Sequence, residues 1–245
     1  MRSPTRRSSP RPAGAALALL LGLGLVAGPL TGCGGDDNPI EPDAAVVGCT
    51  TPTAMRLQPL VIGARWTYSV TKPMVPAMQK GNSVEAYEDI GDRKAGIMGY
   101  RMKTELLDKN TVSWSEDLCT SVIRHREKTY DLANVLQMDT FYQPSKLRVD
   151  ETPAHMATGA AWTLSFTEIQ VNPVTGMAIT ISKDENWSVV SSSESVTVPA
   201  GTFTALHLNK KTSGNADKDY WYAAGVGKVK ETGDQTEELT AFTIP

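Results

Sequence analysis

Polar and apolar residues alternate with a period of two along most of the chain beyond residue 58. Trp66, Tyr68 and Val70 alternate with Thr67 and Ser69, and Met98, Tyr100, Met102, Thr104 and Leu106 repeat the pattern. Leu118, Thr120 and Val122 follow, interleaved with Cys119, Ser121 and Ile123. A period of two places alternate side chains on one face of a strand, so each run predicts a strand with one buried face. Trp162, Leu164 and Phe166 give another, whose apolar positions pass to the other face at Ile169 and Val171, a change that predicts a bulge or bend. Turn residues at 172–176 then lead into Met177, Ile179 and Ile181, the second arm of an antiparallel hairpin. Further strands are expected at Trp187 and Val189, at Val196 and Val198, at 202–208, at 220–222 and at 239–244. No 3.6-residue pattern lasts three turns, and the best helical candidate is the short stretch 131–138. Residues 72–82, broken by Pro73 and Pro76, read as a loop, in which Met74, Val75 and Met78 are candidate contacts for an apolar ligand or a lid over the end of the sheet.

Short connections between successive strands imply antiparallel pairing, because parallel strands need long crossovers. About 190 residues of such sheet must curl or pack on themselves, since open edges and apolar faces invite aggregation. The expected fold is all-β, with an antiparallel curved sheet, an open half-barrel or a sandwich, and at most one or two short helices. Composition agrees: from residue 33 onward the chain has 24 Thr, 18 Val and 9 Ile against 12 Leu.

The first 32 residues differ in kind from the rest. Arg2, Arg6, Arg7 and Arg11 precede an apolar run from Ala13 to Leu30, which Gly and Pro interrupt and no basic cluster follows. This is the pattern of a signal peptide rather than a permanent span. Leu30-Thr31-Gly32-Cys33 resembles the lipobox of bacterial lipoproteins. The resemblance implies cleavage before Cys33, alkylation of its thiol by diacylglycerol, and attachment to the membrane through that lipid. The alternative is an ordinary secretory signal with a chance cysteine. Gly34, where an Asp would retain an enterobacterial lipoprotein at the inner membrane, implies sorting to the outer membrane. Without the leader the formal charge is −7 rather than −3. That sign argues against nucleic acid as a partner, which would need a basic footprint.

Residues 33–55, rich in Gly, Pro, Asp and Thr, read as a tether, leaving 56–245 as one domain. Sixteen steps separate Cys33 from Cys49, a reach of roughly 55 Å when fully extended. Cys49 and Cys119 remain as an even pair in an oxidising compartment, where a disulfide is the default and two buried thiols the alternative.

Three blocks resemble bacterial envelope lipoproteins and secreted proteins of unknown function: Pro59-Leu60-x-x-Gly63-x-x-Trp66-x-Tyr68, the block 196–203 (VTVPAGTF), and the block 220–230 (YWYAAGVGKVK). The family pattern often has Pro where Ala224 stands. The resemblance implies a β-rich envelope domain, akin to the half-barrels of lipoprotein carriers, and implies no reaction.

Candidate chemistry is sparse. His125, His155 and His207 share no local metal-ligand spacing. Asn215-x-Asp217-x-Asp219 begins like a calcium loop, but Tyr220 and Val226 stand where Gly and Glu are needed. No nucleophile elbow, phosphate loop or dinucleotide fingerprint is present, and no cofactor is indicated. The functional expectation is a lipid-anchored envelope protein with a non-catalytic binding or structural β-domain, whose partners are the membrane and other envelope proteins. A carrier or sensor of an apolar ligand is the alternative, and a hydrolase without a recognisable motif comes third.

Overall fold

The computed structural model describes Cys49, Thr51 and residues 53–245. The leader, Cys33 and most of the 33–55 tether lie outside the described residues. Twelve strands follow one another in sequence: β1 (Arg65–Lys72), β2 (Val75–Asp89), β3 (Met98–Glu105), β4 (Asn110–Asp117), β5 (Ser121–Tyr130), β6 (Leu136–Asp150), β7 (Ala161–Val171), β8 (Ala178–Val198), β9 (Gly201–Thr212), β10 (Lys218–Ala223), β11 (Gly227–Thr232) and β12 (Thr236–Thr243). Each pairs antiparallel with its chain neighbours, and β1 pairs with β12 from Arg65↔Thr243 to Thr71↔Thr236.

The sheet is therefore a closed up-and-down barrel, which corrects the expectation of an open half-barrel, curved sheet or sandwich. Closure rests on the pairing of the first strand with the last, a contact no local pattern encodes, and it removes both edges. Three local expectations also change. Residues 131–138 form no helix; they hold the β5–β6 turn, where Asp131 Oδ1 accepts from the Ala133 and Val135 amides, and the start of β6. Residues 72–82 are a hairpin rather than a loop, with Pro73 and Met74 at its turn. The β7–β8 ladder runs unbroken from Ala161↔Ser188 to Val171↔Ala178, so no bulge accompanies the change of face after Phe166. What changes along β7 is the interior it faces: apolar near one end of the barrel, polar near the other.

The apolar end is closed. Residues 53–64 cross it, beginning with a 3₁₀ turn at Thr53–Met55, and Leu57, Leu60 and Ala64 pack against Trp66, Val84, Val189, Leu206, Val229 and Leu239. The Arg56 guanidinium holds this segment to the wall, Nη1 donating to Asp117 at 2.6 Å and Nε to Glu151 at 2.9 Å. Cys49 is joined to Cys119 in the β4–β5 turn, with Cα atoms 5.0 Å apart. The Gly225 amide donates to the Arg56 carbonyl at 2.8 Å. Gly225 has φ +72°, and a Cβ there would stand 2.9 Å from the Ala54 carbonyl oxygen. Gly225→Ala is expected to cost more than the about 1–2 kcal/mol of a left-handed non-glycine residue alone. Urea denaturation measures it, and an unchanged midpoint would show that the crossing segment yields freely.

The three motif blocks singled out in the sequence meet at this closed end. Trp66 Nε1 donates to the Val226 carbonyl at 2.5 Å, Tyr68 Oη to the Lys228 carbonyl at 2.9 Å, and the Ala200 amide to the Leu239 carbonyl at 2.9 Å. Gly227 lets the wall approach Trp66, whose Nε1 would lie 3.2 Å from an added Cβ. The blocks thus specify how the barrel is plugged.

Candidate functional site

Beyond the plug the inward positions become polar and enclose a cavity of about 550 Å³. It reaches the end opposite the plug, where Lys72, Leu106, Asp108, Asn215 and Asp234 stand around it near the hairpin turns. Its inner end is aromatic. Tyr222 spans the barrel, its hydroxyl donating to the Arg148 carbonyl across from β10 to β6 at 3.3 Å. Trp187 stacks on Tyr220 with ring centroids 6.0 Å apart, and Tyr220 stands 6.2 Å from Tyr222.

A layer of ammonium groups lies on these rings. Lys210 Nζ is 5.2 Å from the Trp187 centroid, Lys228 Nζ 5.3 Å from that of Tyr68, and Lys146 Nζ 5.1 Å from that of Phe166. These are cation–π distances. The strand register that places Tyr68 and Trp187 on the inner face sets Lys80 and Lys210 there directly beside them, in the pairs Tyr68↔Lys80 and Trp187↔Lys210, and Lys146 lines the same lumen.

Two carboxylate networks neutralise most of this charge. On one wall Glu237 accepts from Lys80 at 2.8 Å and from Lys228 at 2.7 Å, while Glu231 accepts from Lys218 at 2.9 Å and also from Lys228. On the facing wall Glu185, wholly buried, accepts from Lys210 at 3.1 Å and lies 3.6 Å from Lys146, with Glu168 3.8 Å from the same ammonium. Arg124 pairs with Glu127. Burial pushes Lys80 and Lys210 down to about 8, with Lys228 adding to the shift at Lys80 and Lys146 to that at Lys210. Burial also opposes the charge on Lys228, but Glu231 and Glu237 outweigh it and hold this lysine well above its ordinary value.

Ten basic and seven acidic side chains line the cavity, in a chain whose formal charge is −3. The lumen therefore concentrates positive charge inside an acidic protein. Periodicity could not find these residues, because an inward face of Lys, Arg and Glu is indistinguishable in sequence from an outward one.

Of the residues singled out in the sequence, Met78 lines the lumen, whereas Met74 and Val75 stand exposed at the β1–β2 turn. The three do not converge on an apolar cavity. All three histidines lie outside the lining: His125 bonds Glu116 and Ser145, His155 bonds Asp150, and His207 lies between Glu194 and Asp219. Asp219 also accepts from Asn209, and Asp217 pairs with Lys211 at 3.2 Å, so the acidic run 215–219 is split between separate contacts. Among the described residues no group of three His, Cys, Asp or Glu is arranged to hold a metal ion.

The fold and site define a closed up-and-down barrel with a plugged end and a charged lumen. No protein-family model matches the chain, and no curated protein matches it. Two solved structures are similar at low identity. A protein from Bacteroides fragilis, assigned as exported and of YmcC-like fold, is 12% identical, with 76% of this chain and 98% of that one covered and a TM-score of 0.40. A protein from Parabacteroides distasonis, assigned as a lipoprotein, is 10% identical over the same shares, with a TM-score of 0.37.

Proposed function

We propose that this is a lipid-anchored protein of the bacterial cell envelope, sorted to the outer membrane, whose barrel is a non-catalytic module that binds a small polar solute in its lumen. The observation that carries the binding reading is the cavity of about 550 Å³, a size ordinary for small-molecule sites. Its lining favours a polar occupant over the apolar ligand that a curved sheet alone would suggest. Five of the seven lumen carboxylates, Glu127, Glu168, Glu185, Glu231 and Glu237, are each tied to a lysine or arginine, and no histidine lines the cavity to serve as a base. The envelope reading is supported by the leader, by the lipobox around Cys33 and by the Cys49–Cys119 bridge, which suits an oxidising compartment.

Two measurements test the two halves. Cys33→Ser is expected to release the protein from membranes on fractionation; continued tight association would refute lipid attachment. For the lumen, the melting temperature of the full chain is measured against a panel of anionic, neutral and cationic small solutes. A solute at about 100 times its Kd contributes about 2.7 kcal/mol, a shift of several degrees for a domain of this size. Thr104→Trp, which puts a bulky ring into the lumen, is expected to reduce that shift, and a panel without any responder would overturn the reading.

A further inference from the structure

Most lumen cations are matched to carboxylates, and one deep in the cavity is not. Arg148 belongs to β6, where Val122 pairs with Val149 and Ile123 with Leu147. Arg148 is thus the extra residue of a bulge, without a partner on β5, and the β6–β7 ladder ends at Gln143, so it has none on β7 either. A bulge re-aims both the side chain and the carbonyl. Here the carbonyl turns inward to accept from Tyr222, and the guanidinium enters the lumen beside Tyr220 and Tyr222. Among the described residues it has no carboxylate within 4 Å and no hydrogen bond from its N–H groups, whereas Arg124, Lys146 and Lys210 around it are all committed to Glu127, Glu168 and Glu185.

An arginine offers five donors in a planar fork matched to the two oxygens of a carboxylate or phosphate. The excess of basic over acidic side chains in the lumen raises the potential without occupying that fork. A field of one sign in a low-dielectric cleft draws in solutes of the other. The aromatic rings beside it supply a flat surface for the rest of the solute.

We infer that the lumen receives a small solute bearing a carboxylate or phosphate group, and that Arg148 is the residue that grips that oxyanion. This rests on the lumen being the binding site proposed above. The lysine–glutamate networks then act as a fixed, nearly neutral wall, and the bulge in β6 is the device that leaves one guanidinium free at its centre. Among the described residues Lys72, Lys109 and Lys183 also line the lumen without a carboxylate within 4 Å; they lie nearer the mouth and are placed to meet the solute on its way in.

The test is titration calorimetry of the full chain with inorganic phosphate, succinate, glucose and choline, repeated on Arg148→Gln and Arg148→Lys. Binding is expected for phosphate or succinate, and which of the two binds identifies the oxyanion; glucose and choline are expected to be inert. Arg148→Gln should weaken binding at least tenfold and Arg148→Lys less, since it keeps the charge and loses the fork. Both variants should keep the unliganded melting temperature within a few degrees, which separates a binding role from a structural one. Should glucose or choline bind and neither anion do so, the lumen remains a binding site but the oxyanion assignment fails. It fails equally if Arg148→Gln binds the anions as tightly as the parent. Binding by none of the four, with no responder in the wider panel, overturns both readings.

Discussion

Replacing Lys228 by Met is expected to destabilise the barrel by about 3 kcal/mol, the lower end of the cost of stranding a buried charge. Lys228 Nζ lies 2.7 Å from Glu237 Oε2 and also bonds Glu231, and these carboxylates are only 1% and 7% exposed. Each keeps one other lysine in the variant, Lys80 for Glu237 and Lys218 for Glu231, which keeps the cost near that lower end. Urea denaturation at pH 7 gives the value. A loss below about 1 kcal/mol would mean that water in the lumen screens the network as it does a surface pair. Adding Glu237→Leu to Lys228→Met should deepen the loss, because it leaves Lys80 without its carboxylate partner.

The same network makes stability depend on acid. Burial by itself would raise the carboxyl of Glu237, but Lys228 and Lys80 outweigh it and hold that carboxyl at about 2, against 4.5 for the ordinary group. Glu231 is held down by Lys228 and Lys218 in the same way. Below 4.5 the unfolded chain binds protons that the folded barrel refuses, so the stabilisation is complete above that pH and is lost as pH falls toward 2. The melting temperature should therefore drop across this window, and Lys228→Met should flatten the drop. An equal slope in parent and variant would place the acid sensitivity elsewhere.

Removing the Cys49–Cys119 bridge is expected to cost about 4 kcal/mol in the chain-entropy model for a loop of 70 residues. The bridge ties the segment before the barrel to the β4–β5 turn, where Cys119 has φ 69° and its amide donates to Asp117 Oδ1 at 2.8 Å. Reduction, or Cys49→Ser with Cys119→Ser, should lower the denaturation midpoint and speed amide exchange in residues 53–64, which close the barrel end. Arg56 still bridges Asp117 and Glu151 when the sulfurs part. If the loss is below 1 kcal/mol, that ion pair rather than the covalent link holds the plug.

Which strands could be read from the sequence follows from what each faces. β1 and the closed-end part of β7 alternate visibly because their inner residues, Trp66, Tyr68, Val70, Trp162, Leu164 and Phe166, lie toward the apolar end. β4 and β6 were not legible. Their inner positions include Thr111 and Ser113, and Lys146 and Arg148, so hydrophobic periodicity is lost where the interior is a polar lumen. That loss also made 131–138 look helical. The single strand β8, 21 residues long, reads as three short ones because its inner face passes from Lys183 and Glu185 to Trp187 and Val189. Pro73 and Pro76 suggested a loop, yet one stands at the hairpin turn and the other at the second residue of β2, both compatible with a strand terminus.

By itself the sequence determined the all-β antiparallel class, the cysteine pair and the motif blocks, because period-two patterning, cysteine count and turn residues are local or countable properties. Whether the sheet closes, which charges face inward and which lumen arginine is left without a carboxylate were decided only by the tertiary structure. Closure depends on β1 meeting β12 some 170 residues away, as in Trp66↔Phe242. A charged side chain reads the same whether it faces solvent or a lumen, and only the closed wall tells the two apart.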